Sequence, residues 1–194
     1  MIQDAMINTV ETLLALEIRS QRIGFAVFDG PTRLLDWGIG TCLHPTCGLH
    51  DVVAKRVRRL LFRYRPFAVV MRRDNHYSSQ TTARLLISVG AIRREARRCG
   101  VKFRLLRTKA RKRFFVRLGY NTKHQVAQLI ANLFEELSWT VPPKRKPWNS
   151  ESYHTVIFDA AATGLAAFAE GANREAVREL ITTTEALSPG PKMT

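Results

Sequence analysis

The sequence predicts an α/β domain on a mixed five-stranded sheet, three antiparallel strands followed by parallel βα units, with helices on both faces. Three apolar runs at 13–19, 24–30 and 34–42 are separated only by the short polar turns "SQR" and "GPTR", the signature of an antiparallel meander. Downstream, segments with helical apolar spacing alternate with short continuous apolar runs, as buried parallel strands joined by helices require.

Within 49–65, Val52, Val53, Val57, Leu60 and Leu61 fall on one helical face, and Pro66 stops the helix. "FAVVM" at 67–71 is a short buried strand, followed by the loop "RRDNHYSSQ" and a helix over about 80–98. "VKFRLLRT" at 101–108 is the fifth strand. The stretch to Arg117 is a short helix or a loop, and Thr122 is placed as the N-cap of a helix ending near Leu137. Three prolines in 141–152 mark a connector. A small-residue helix over 154–171 closes at Gly171, and a last helix covers about 173–187. The chain thus divides into an extension (1–12), the main domain (13–171) and a C-terminal helix with its tail (172–194).

With 194 residues and 45% hydrophobic content, one full core is within reach. No apolar run reaches the roughly 18 residues of a membrane span. The acidic start "MIQDAMINTVE" is unlike a secretory signal, and three cysteines fit a reducing compartment. A cytoplasmic, nucleoid-associated protein is the expectation. The net charge is +15, and its distribution is uneven. Between Val52 and Lys123 stand 22 basic residues and only two acids, Asp74 and Glu95, while the remainder is net −5. Solvated surfaces intersperse both signs, so a basic concentration of this kind points to a polyanionic partner.

Glu17 is the anomaly. Alternation puts Leu14, Leu16 and Ile18 on one strand face, and Ala15, Glu17 and Arg19 on the other. A carboxylate partway along a central strand is costly unless it is paired, hydrated or holding a metal. All three readings stay open on the residues alone.

"LLALEIRSQRIGFAVF", "RKRFFVRLGYNTKHQVAQLI" and "FDAAATGLAAF" occur in that order. Together they resemble the RuvC family of Holliday-junction resolvases, over about residues 13–169. Ser20, Gly24, Phe25, Ala26 and Val27 fall on the first motif's pattern, and Glu17 falls on its first catalytic aspartate. Gly119, Lys123, Gln125 and Val126 match the second motif, and the third puts Asp159 on a catalytic carboxylate.

The resemblance implies a ribonuclease H fold and phosphodiester hydrolysis assisted by Mg²⁺ or Mn²⁺, with three or four acids holding two ions roughly 4 Å apart. Glu17 and Asp159 would be the metal ligands, with Asp74 completing the catalytic set. It further implies branched DNA as the partner and a homodimer, whose two-fold axis suits a four-way junction. Lys109, Arg111, Lys112, Arg113 and Lys123 would line the DNA cleft, joined by Arg73. His76 and Tyr77 lie where relatives carry a base-stacking aromatic.

One departure stands out. The family's second acid position, after the fourth strand's apolar run, holds Arg72. A guanidinium there repels a metal and can pair with Glu17 across neighbouring parallel strands. The sequence therefore supports either a junction-resolving endonuclease with a rearranged acid set or a nucleic-acid-binding protein with lapsed chemistry. RNA as partner leaves the same basic signature. Cys42, His44, Cys47 and His50 are zinc-ligand types, but their spacing is tighter than finger or ribbon sites use.

Overall fold

The computed structural model describes residues 12–19, 21–41, 48–73, 79–144, 148, 151–171 and 173–187. Asp74, His76 and Tyr77 lie outside them, as do Cys42, His44 and Cys47. Five strands, β1 (Thr12–Ile18), β2 (Arg22–Asp29), β3 (Leu34–Thr41), β4 (Ala68–Arg73) and β5 (Lys102–Arg107), form one sheet in the order β3-β2-β1-β4-β5. The first three pair antiparallel, and β4 joins β1 and β5 in parallel. This is the mixed sheet the apolar runs predict.

Period-two alternation sorts the sheet's side chains onto two cores. Leu14, Leu16, Ile18, Ile23 and Phe25 pack against α1 (Leu49–Tyr64) and α2 (Ser79–Arg98). Leu13, Ala15, Ala26, Phe28 and Val70 pack against α3 (Thr108–Arg117), α4 (Lys123–Leu133), α5 (Thr155–Glu170) and α6 (Arg174–Leu187). From Val156 to Phe168 every residue of α5 is buried, as a helix apolar on all sides must be. Its small residues let it lie directly on the sheet: a Cβ on Gly164 would run into the Phe28 ring.

Some boundaries differ from the sequence reading. Strand β4 continues past the apolar run to Arg73, so Arg72 is a strand residue. Residues 108–117 settle as a helix. Thr122 caps α4 with a reciprocal capping box, its hydroxyl accepting from the Gln125 N–H. That helix ends at Leu133, short of Leu137, because Phe134 turns extended and sets its ring 5.7 Å from Phe28. A 3₁₀ turn over Glu135–Thr140 follows. Among the described residues no helix is long and apolar enough to cross a membrane.

Candidate functional site

Glu17 shares its sheet face with Leu13 and Ala15, so it points towards α5. Its β2 neighbour is Gly24, where a Cβ would collide with the Val156 carbonyl. The glycine lets the first turn of α5 press against the sheet at the level of Glu17. Asp159, less than one turn further along that helix, is brought to the same place. Arg72 comes from β4, one residue beyond the last β1–β4 pair, Leu16–Met71.

The result is a buried cluster of charges. Arg72 Nη2 donates to Glu17 Oε1 at 2.6 Å, and Arg19 Nε lies 3.6 Å from the same oxygen. Arg19 Nη2 donates to Asp159 Oδ2 at 2.5 Å, while Arg111 Nη1 donates to Asp159 Oδ1 at 2.9 Å and approaches its carbonyl at 3.2 Å. Lys123 Nζ donates to Glu151 Oε1 at 2.6 Å and stands 3.9 Å from Asp159 Oδ2. Arg19 links the two ends, 3.7 Å from Glu151 Oε2. Three carboxylates face four cations.

The two deep acids titrate in opposite directions. Burial raises Glu17 to about 7; Asp159 adds to this, and Arg72 and Arg19 offset only part of it. Burial alone would raise Asp159 as well, but Arg111, Lys123 and Arg19 overcome it and hold the carboxyl at about 2. Glu151 is lowered: Lys123 and Arg19 outweigh its desolvation.

A pair of divalent cations needs converging oxygen ligands from three or four acids. Here Glu17 Oε1 and both carboxylate oxygens of Asp159 already face guanidinium groups, and the strand position beside Glu17 carries Arg72, a cation rather than an oxygen ligand. Among the described residues no three His, Cys, Asp or Glu side chains are grouped as a ligand set. The side chains gathered at this site among the described residues do not fit Mg²⁺ or Mn²⁺.

The basic residues singled out from sequence divide into four groups, with Lys123 shared between the charge cluster and the cleft. Arg111 is a member of the charge cluster. Lys112 and Lys123 border a cleft of about 570 Å³ beside Asp159, whose apolar wall includes Phe115, Val126 and Pro142. Arg113 instead lines a separate groove of about 410 Å³ with Arg117, Arg174 and Arg178. Lys109 is exposed on the first turn of α3, and Arg73 is exposed at the end of β4, where its carbonyl accepts from the Thr108 hydroxyl at 2.5 Å.

Two members of the cluster escaped the sequence reading. Arg19 was visible only as a residue on Glu17's strand face. Glu151 sits in the proline-rich connector and carries no local signal, because its partners are 28 and 132 positions away.

No family model matches the sequence, and no curated protein does. Solved structures do resemble the fold. Thermus thermophilus RuvC in complex with a Holliday junction substrate superposes with a TM-score of 0.63 at 20% identity, covering 82% of this chain and 94% of the other. A further structure of Thermus thermophilus RuvC gives 0.62 at 20% identity, over 86% and 97%. The yeast mitochondrial Holliday junction resolvase Ydc2 gives 0.57 at 12% identity, over 95% and 89%. The chain therefore has the ribonuclease H-like fold of RuvC and other Holliday junction resolvases, at low sequence identity.

Proposed function

We propose that this protein binds branched DNA through its basic cleft and does not cut it: a resolvase scaffold in which an ion-pair cluster stands where metal ions would be held. The observation that carries this reading is the 2.6 Å bond from Arg72 to Glu17. It ties up the first acid and puts a cation in the position of the second. DNA binding is supported by the 22 basic residues between Val52 and Lys123, and by Lys112 and Lys123 at the cleft mouth. Phosphate contacts of this kind position a backbone without reading its sequence. The two-fold symmetry of a four-way junction supports a homodimer as the binding unit. Such a partner places the protein with the nucleoid.

The test is incubation of a labelled four-way junction with the protein in Mg²⁺ and in Mn²⁺, read on native and denaturing gels. Retention of the junction without nicks is the expected result. Symmetric nicks that disappear in Glu17→Gln would overturn the reading in favour of a working nuclease. Preference for a matched RNA junction in competition would reassign the partner.

A further inference from the structure

A row of aromatic rings adjoins the charge cluster and has no part in it. Trp37 on β3 lies 5.6 Å from Trp139 in the 3₁₀ turn; Trp139 lies 6.2 Å from His154; His154 lies 5.5 Å from Tyr153. At the far end the Arg22 guanidinium sits 5.0 Å above the Tyr153 ring, and Arg22 Nη1 donates to the Tyr153 carbonyl. The Tyr153 hydroxyl is bonded to that of Thr41 at 2.9 Å, fixing the ring against the end of β3.

The row is held rigid yet open. Trp139 is 72% exposed and Tyr153 48%, although each has two fixed neighbours. Large aromatics presented this way lose little conformational freedom on binding and leave faces for a partner. The row is also tied to the cluster through near neighbours in the chain. Arg19 and Arg22 stand on either side of the β1–β2 turn, the first bonded to Asp159 and the second to Tyr153. Glu151, held by Lys123, is two residues before Tyr153. A strand whose phosphates lie on Lys123 and its basic neighbours would reach Arg22, Tyr153 and Trp139 next.

We infer that Trp139 and the Arg22-capped Tyr153 form a stacking platform for unpaired bases of a nucleic-acid strand leaving the basic cleft. Base–aromatic stacking tolerates any sequence, because every base has a π-face, and arginine planes stack in the same way. The guanidinium over Tyr153 favours an anionic strand over an uncharged apolar partner. The inference rests on the nucleic-acid-binding reading and adds a preference to it: strands with unpaired bases over continuous duplex.

The experiment compares the full chain with Trp139→Ala and Trp139→Phe on three ligands: a twelve-nucleotide oligothymidylate, a four-way junction with a single-stranded arm, and a blunt-ended, fully paired duplex. Affinities are measured across a salt series. Trp139→Ala should lose about 5- to 100-fold on the two ligands with unpaired bases and hold its affinity for the duplex, while Trp139→Phe recovers most of the loss. The slope of affinity against salt should not change, because no phosphate contact is removed. Unaltered thermal unfolding, expected at so exposed a position, separates this from a folding defect. Equal affinities of wild type and Trp139→Ala on every ligand would overturn the platform and leave DNA binding standing. An equal loss on all three ligands would also overturn it. If the wild type binds none of them, both readings fall.

Discussion

Arg72 and Glu17 form a direct ion pair between adjacent parallel strands, 2.6 Å apart, with side chains only 7% and 3% exposed. Bringing two charges out of water costs several kcal/mol per ion, so such a pair adds little net stability, but removing one partner leaves the other stranded. Arg72→Ala should therefore destabilise the fold in urea unfolding by up to about 3–5 kcal/mol above neutral pH, where Glu17 is charged, and by less in acid, where Glu17 keeps its proton. Replacing both partners, Glu17→Met with Arg72→Leu, should restore most of that loss. If Arg72→Ala unfolds at the wild-type midpoint, the pair is not what holds the first acid.

The pH dependence has two opposed parts. Glu17 titrates near 4.5 when unfolded and near 7 when folded, so the native state holds its proton more tightly. Its contribution is complete below pH 4.5 and is lost as pH rises through about 7. Asp159 runs the other way, from 3.8 unfolded to about 2 folded. Its contribution is complete above pH 3.8 and is lost as pH falls through about 2. Glu17→Gln should flatten the stability profile between pH 4.5 and 7, and Asp159→Asn should flatten it between pH 2 and 4. A Glu17→Gln profile parallel to wild type across the neutral range would contradict the raised carboxyl.

Cations at the cleft differ in what they hold. Arg111, with its side chain 12% exposed, donates to Asp159, so Arg111→Ala should lower stability as well as binding. Lys112 is exposed at the cleft mouth. Lys112→Ala should leave unfolding unchanged, weaken junction binding, and reduce the slope of log affinity against log salt by roughly one. An unchanged slope would mean that Lys112 touches no phosphate.

Gly24 is required for close approach. A side chain there meets the Val156 carbonyl, which is backbone and cannot rotate away. Gly24→Ala should cost about 1–3 kcal/mol as α5 is pushed off the sheet. The Asp159 bonds to Arg19 and Arg111 should weaken with it, visible as a rise in the Asp159 carboxyl titration by NMR. A variant with wild-type stability and titration would show that α5 is not seated by this contact.

Much of the architecture was legible because it follows from local periodicity. Alternation in 13–19 and 24–30 set the strand faces, including the face that carries Glu17 towards α5. Thr122 announced a helix start, and the small residues of 154–171 announced a helix closed at Gly171. The Arg72–Glu17 contact was one of the pairings foreseen, since parallel neighbours in register place those positions side by side. Local patterns were silent where the decisive partners are remote. The end of α4 was decided by Phe134 finding Phe28, and the arginine groove that takes Arg113 depends on how α6 packs beside α3.

The sequence by itself determined the sheet, its two cores, the acid on the first strand and the basic character of the surface, because each is written in spacing and charge along the chain. Only the tertiary structure decided what the acid faces. Arg19, Arg72, Arg111 and Lys123 are drawn from β1 and its turn, β4, α3 and α4, and Glu151 arrives from a connector without periodicity. Ion pairs between groups dozens of positions apart depend on strand order and on how closely α5 approaches Gly24, and no local pattern encodes either.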